Sequence, residues 1–325
     1  MKRWLWILPL ALLLSGCGMS PREKEPESIR ILTTIYPVYE TVKQVAGNTA
    51  DVTMLIPPGA EAHDWEPSAS AIREMRSGAL LFYNGGGLEP IEELVKEERS
   101  GSGRKVALTS VLDLLPGEDE EHGDEEHEHE DHDAEEAEHG HHGHHHHHHE
   151  QDPHVWLDPR NVCKEVDLIV QVLSEEDKAN ADTYRKNGEA YKEKLLALDR
   201  DYETALAQVN SREMITTHAA FAYLAARYHL HQVSAMGISP DAEPTPRRMA
   251  EIIEYIKEHQ IPVLFMDASS NPRIGEVIAE ETGIRVERLN PLESITMEDR
   301  WAGKDYLSIM RENLEALQRG LGKAE

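Results

Sequence analysis

The sequence predicts an α/β protein of two α/β lobes, each built on a central mostly parallel sheet, joined by one long helix. Three observations predict it. Short runs of branched residues alternate with amphipathic stretches over residues 29–108, the same alternation returns over 211–325, and between them apolar and aromatic residues recur at helical spacing.

Ile29 to Ile35 alternates and is rich in branched residues, as a strand requires. Pro37 opens a helix to about Ala46, stopped by Gly47-Asn48. Val52 to Ile56 is a second strand, ended by Pro57-Pro58-Gly59, and Ser68 is the N-cap of a helix to about Arg76. Leu80 to Tyr83 forms a third strand, Leu88 to Glu98 a helix and Lys105 to Leu108 a fourth strand. The run Asn84-Gly-Gly-Gly87 signals a turn; no Lys-Ser/Thr follows it, so it is not a phosphate cradle.

After Pro159 the pattern turns helical. Asn161 to Leu173 gives one helix, and Ser174-Glu-Glu-Asp177 has the form of a cap opening the next. Tyr184, Tyr191, Leu195, Leu198, Tyr202, Leu206 and Val209 then make an apolar stripe. Continuous from Glu175 to Val209, that helix is about 50 Å long, enough to cross two lobes. The second alternation places strands at Met214–Thr217, Gln232–Ala235, Pro262–Met266 and Arg285–Leu289. Its helices are Ala219–Arg227, Thr245–His259, Arg273–Thr282 and Trp301–Gln318.

The chain divides accordingly into a lipoprotein signal peptide (1–20), a tether (21–28), an N-terminal lobe (29–160) containing a loop at 118–150, a helical spine (161–210) and a C-terminal lobe (211–325). Lys2 and Arg3 precede the apolar stretch Trp4 to Leu14, which is too short to span a bilayer and has the layout of an export signal. Leu14-Ser15-Gly16-Cys17 resembles the bacterial lipobox, which implies cleavage before Cys17 and lipidation of its sulfur. The expected location is the outer face of the cytoplasmic membrane. Only Cys163 then remains, so no intrachain disulfide forms and stability rests on the core.

The formal net charge is -28. Fifteen of the 61 acids lie between Glu118 and Glu150; without them 46 acids face 33 bases, a moderately acidic body. That excludes nucleic acid as a partner, which needs a basic face, and suits cation capture. The same stretch holds thirteen histidines and no Lys, Arg or large apolar residue, so it buries no core and is expected as a solvated loop. Imidazole suits zinc, copper, nickel and iron, and dense carboxylate concentrates any cation. The loop is therefore read as a low-affinity metal tract, with His139, His141, His142, His144, His145, His146, His147, His148 and His149 as its densest donors.

A sharper signal follows it. His154 lies between Asp152-Pro153 and Asp158-Pro159, beside Val155-Trp156-Leu157, where its ring is held in place. His63 follows a strand, His218 closes another, and an acid stands near the last strand. A lone histidine is more often a core or surface residue, but three imidazoles and one carboxylate make a tetrahedral zinc set.

The motifs Ala62-His63-Asp64-Trp65-Glu66-Pro67, Asp152-Pro-His154-Val-Trp-Leu-Asp158 and Thr217-His218-Ala219-Ala-Phe221-Ala-Tyr223 resemble those of the zinc-specific solute-binding lipoproteins of ABC importers. Asn84-Gly-Gly-Gly-Leu-Glu89, Glu243-Pro244-Thr-Pro and Leu289-Asn-Pro-Leu-Glu293 extend the resemblance over about residues 28 to 320. It implies a metal held between the lobes, with His63, His154 and His218 as ligands. Manganese-preferring relatives carry a carboxylate where His218 stands, so imidazole there points to zinc. Many relatives place Asp where this chain has Asn290, and the fourth ligand is assigned to Glu293, as in the Asn-Pro-Leu-Glu branch. Asp267 is the alternative or an outer support, and water a third option.

The resulting expectation is a monomeric, non-enzymatic protein that captures Zn2+ and passes it to a cognate ABC permease. Two rivals remain in view: a zinc-carrying surface adhesin and an exported zinc hydrolase, the latter disfavoured by the lack of HExxH.

Overall fold

A computed structural model describes residues 28–91, 103–117, 151–239, 244–268 and 272–322. Cys17, the histidine-rich stretch 118–150 and most of the helix expected at Leu88–Glu98 lie outside these residues. No helix among the described residues is long and apolar enough to cross a membrane.

The first lobe contains β1 (Ile29–Thr33), α1 (Tyr36–Ala46), β2 (Ala50–Met54), α2 (Ala69–Met75), β3 (Leu80–Tyr83) and β4 (Lys105–Ala107). Its strands form a parallel sheet in the order β2-β1-β3-β4. Pro37 sits in the first turn of α1, where its missing N–H is no loss, and Gly47 ends the helix at φ 60. Ser68 caps α2 as the sequence predicts, its hydroxyl accepting from the Ala71 N–H at 3.2 Å.

Two antiparallel-packed helices follow, α3 (Pro159–Glu176) and α4 (Ala181–Leu206). Here the structure departs from expectation. Asp158 caps α3 through the Arg160 N–H and Pro159 takes the first helical position, so the helix starts earlier than Asn161. Ser174 is no cap; α3 runs through it, and the chain leaves the helix at Asp177, whose carboxylate accepts from Asn180 Nδ2 and Tyr184 Oη, each at 2.7 Å. The long helix is thus α4 alone, 26 residues or about 39 Å. Its predicted stripe is buried from Tyr184 to Leu206. Gly188 lets α3 approach closely, since a Cβ there would stand 2.5 Å from Val170 Cγ2.

The second lobe contains β5 (Glu213–Thr216), α5 (Ala222–Tyr228), β6 (His231–Ser234), α6 (Pro246–His259), β7 (Val263–Asp267), α7 (Pro272–Thr282), β8 (Arg285–Leu289), α8 (Met297–Trp301) and α9 (Tyr306–Leu321). Its parallel sheet runs β6-β5-β7-β8, the same order of threading as in the first lobe. The single terminal helix expected at Trp301–Gln318 is two helices: Gly303 takes φ 74, and Asp305 with Ser308 forms a capping box that starts α9 afresh. One apolar core includes Ile31 and Phe82 of the first sheet, Leu195 of α4, Phe265 of the second sheet and Leu317 of α9. The lobes are therefore packed on a shared core rather than strung on a free linker. In each sheet the strand order reverses beside the first strand, and side chains beyond the strand ends at that point face a crevice.

Candidate metal centre

The crevice gathers residues from four segments distant in sequence. His218 follows β5, and Asp267 ends the neighbouring strand β7, so both stand at the switch point of the second sheet. His63 lies in the loop after β2; its backbone N–H donates to Glu61 Oε1 at 3.1 Å. Gly59 in the same loop donates to Ser294 Oγ at 2.7 Å, which ties that loop to the segment carrying Glu293.

His154 precedes a 3-10 turn, Val155–Leu157, whose side chains are all buried. Trp156 Nε1 donates to the Pro291 carbonyl and Tyr306 Oη to the Trp156 carbonyl, both at 2.7 Å. These bonds lock the histidine's segment onto the loop that bears Glu293. Within that loop Asn290 does not face the crevice: its Oδ1 accepts from the Leu292 N–H at 2.8 Å, holding Leu292 at φ 63 so that Glu293 turns inward. The Tyr36 N–H donates to the Glu293 carbonyl at 3.3 Å, a further link to α1.

His63, His154, His218 and Glu293 each offer a donor atom, and these atoms all lie within 4.8 Å of one another. Glu293 Oε1 is 3.1 Å from His154 Nε2 and 3.8 Å from His218 Nδ1, and Oε2 is 3.8 Å from His63 Nε2. Ligands 2.0–2.1 Å from a tetrahedral zinc stand about 3.3 Å apart, so the cluster needs only small adjustments to close on one ion. The four side chains are at most 5 % exposed. Among the described residues, every ion-pair contact of Glu293 is to an imidazole.

Two further carboxylates touch the rings. Asp152 Oδ1 is 2.7 Å from His154 Nδ1, and Asp267 Oδ2 is 3.1 Å from His218 Nδ1. His218 Nε2 contacts the Ile238 carbonyl, an acceptor, so in the neutral ring that nitrogen carries the proton. The lone pair on Nδ1 then faces the carboxylates of Asp267 and Glu293, an arrangement that calls for a proton or a cation between them. Asp267 thus touches a ring of the cluster without being one of its four members. Glu61 and Asp152 were not picked out by sequence reasoning, although the two-residue spacing in Asp152-Pro-His154 was visible.

The charges are strongly coupled. Burial opposes ionisation of Glu293, but hydrogen bonds from His154 and His63 outweigh it and hold its carboxyl well below the usual range. Burial lowers His63. Burial also works against charged His154, yet Asp152 and Glu293 overcome it and raise the ring to about 10. His218 is raised in the same way, with Asp267 and Glu293 outweighing burial. Burial, then the Glu293 charge, lifts Glu61 to about 7. A divalent cation bound here would take the place of the protons that otherwise balance this acid-rich pocket.

Residues 31–320 match the family described as "Zinc-uptake complex component A periplasmic", ZnuA. The chain belongs to this family. The zinc-binding lipoprotein AdcA of Streptococcus pneumoniae serotype 4 is 40% identical over 310 residues, covering 95% of this chain and 58% of AdcA. The chain thus spans little more than half the length of that relative. The high-affinity zinc uptake system protein ZnuA of Bacillus subtilis is 36% identical over 331 residues, covering 98% of each chain. Among solved structures, the Zn(II)-bound ZnuA-like domain of S. pneumoniae AdcA superposes with a TM-score of 0.75 at 36% identity, covering 91% of this chain and 100% of that one. That AdcA domain shares the two-lobed α/β fold described above.

Proposed function

We propose that the protein is the extracytoplasmic zinc-binding component of a zinc importer, capturing Zn2+ between its lobes with His63, His154, His218 and Glu293 and delivering it to an ABC permease. The convergence of three buried imidazoles and one ionised carboxylate within 4.8 Å carries this reading. Three neutral nitrogens favour zinc over oxygen-preferring cations, and the carboxylate completes a four-coordinate shell. A catalytic zinc keeps a position open for water, so a closed shell speaks for binding and release rather than hydrolysis. Asp152 orients the His154 ring from behind, and the Ile238 carbonyl holds the far nitrogen of His218.

The segments are assigned as signal peptide (1–20) with lipidation at Cys17, tether (21–28), N-terminal lobe (29–160), helical spine (161–210) and C-terminal lobe (211–325). The names of the relatives, a lipoprotein and an uptake-system protein, support an anchored position outside the cytoplasmic membrane. The tract 118–150 is assigned to weak metal collection, apart from the tight site.

The test is stoichiometric. Protein stripped with a chelator should take up one zinc tightly at the four-residue site, and X-ray absorption should show three imidazoles and one carboxylate around it. Tight binding that survives loss of both His63 and His154 rules the site out. A zinc-carrying adhesin with structural metal predicts retention of zinc against a competing chelator, whereas captured cargo exchanges.

A further inference from the structure

The tract 118–150 is inserted between two described stems that meet at an antiparallel bridge, Pro116 with Gln151. Three hydrogen bonds close this base. Asp152 N–H donates to the Leu115 carbonyl at 2.9 Å, Leu115 N–H donates to Tyr223 Oη at 2.8 Å, and Tyr223 Oη donates to the Asp152 carbonyl at 2.9 Å. One phenol from the second lobe therefore bonds both stems. Tyr223 is 5 % exposed and lies on α5, five residues beyond His218. Burial pushes its hydroxyl up to about 12, so it stays protonated and able to donate.

Asp152, whose carbonyl the phenol holds, also binds His154 with its carboxylate, at Nδ1 and at the backbone N–H. A second anchor comes from the first lobe, where Asn84 Nδ2 donates to the Pro153 carbonyl at 2.9 Å. Asn84 is itself fixed by Glu89, whose carboxylate accepts from the Asn84 and Gly85 N–H groups. Residues 152–154 are thus suspended between the lobes, with Tyr223 as the attachment on the side that carries His218.

We propose that Tyr223 is a positioning residue that clamps the stems flanking the 33-residue insertion and thereby fixes His154 relative to His218, making the geometry of the tight metal site independent of the inserted residues. The insertion begins three residues after Leu115 and ends two before Asp152, so without the clamp any displacement of the stems passes through Asp152 to the His154 ring. The proposal rests on the reading of His154 as a zinc ligand.

The test combines Tyr223→Phe, which removes only the hydroxyl, with replacement of residues 118–150 by a short Gly-Ser connector that closes the stems covalently. Zinc loss to a chelator is followed in the full chain and in the shortened chain, and the visible spectrum of the Co2+-substituted protein reports ligand geometry. In the full chain Tyr223→Phe should speed zinc loss about 10-fold, the lower end for loss of a group that supports a metal ligand, and alter the cobalt bands. In the shortened chain the same substitution should change the rate by less than about 3-fold, because the connector replaces the clamp. Equal acceleration in both chains overturns the stem clamp. So does a lower melting temperature with unchanged zinc loss and cobalt spectrum, which marks a merely structural tyrosine. Failure of the unsubstituted protein to bind zinc at all would instead overturn the functional reading beneath it.

Discussion

Asp152 Oδ1 grips His154 twice, at the ring Nδ1 (2.7 Å) and at the backbone N–H (2.8 Å). The double contact fixes both the ring and the segment that bears it, and it leaves Nε2 aimed at Glu293, 3.1 Å away. Carboxylates behind metal-bound imidazoles set the tautomer and raise ligand basicity. Asp152→Ala should therefore weaken zinc binding about 10- to 100-fold, read by competition with a chelator of known affinity. An unchanged dissociation constant would strip Asp152 of this role.

The same pair fixes how zinc affinity depends on pH. A ligand histidine must be neutral, while Asp152 and Glu293 raise metal-free His154 to about 10. Zinc must therefore displace a proton across the whole neutral range, not only near the unperturbed imidazole value of about 6.5. Affinity should keep rising from pH 6.5 to 9, by about tenfold per pH unit for each proton displaced. Calorimetry in buffers of different ionisation enthalpy should record proton release at pH 8. No proton release there, together with a flat affinity above pH 7, would contradict the raised His154.

Much of this was legible in the sequence because it rests on local rules. The alternation of strands and helices and the Ser68 cap follow from side-chain pattern, and the structure shows them where expected. What the sequence hid is long-range. Ser174 has the form of a cap, but the break is set by Asp177 reaching Asn180 and Tyr184. Asp152 reads as half of an Asp-Pro step, and only the folded chain shows its carboxylate against the His154 ring. Nothing in the pattern around Tyr223 says that its hydroxyl meets Leu115, 108 residues away.

Asn290 and Glu293 separate by task. The Asn290 side chain caps its own loop at Leu292, and Asn313 Nδ2 in turn donates to the Asn290 carbonyl at 2.8 Å. Glu293 supplies the oxygen within the imidazole cluster. Asn290→Asp keeps an acceptor for Leu292 and should leave zinc affinity within about 3-fold, since the turn chemistry is preserved. Glu293→Ala removes a charged donor from a buried shell and should cost more than about 100-fold. Isothermal titration of both variants decides it, and a reversed order of effects would move the fourth ligand from Glu293 to position 290.

The metal-free site also leaves a signature in stability. His154 and His218 are raised in the folded state, so their contribution is full below the unfolded value of about 6.5 and is lost as pH climbs through the folded values, about 10 for His154. Glu293 is depressed, and its contribution is present above about 4.3 and lost as pH falls. His63, held neutral by burial, opposes the other two rings: its contribution is present above about 6.5 and lost below. Between pH 6.5 and 9 the two raised histidines decide the slope, and the metal-free site weakens. Zinc acts in the opposite sense, because its stabilisation grows with affinity as protons become easier to displace. The gap in melting temperature between zinc-loaded and chelator-stripped protein should therefore widen steadily across pH 6.5, 7.5 and 8.5 at fixed zinc excess. Differential scanning fluorimetry at those three values checks it, and a gap that fails to widen with rising pH would show that the buried imidazoles are already neutral before zinc arrives.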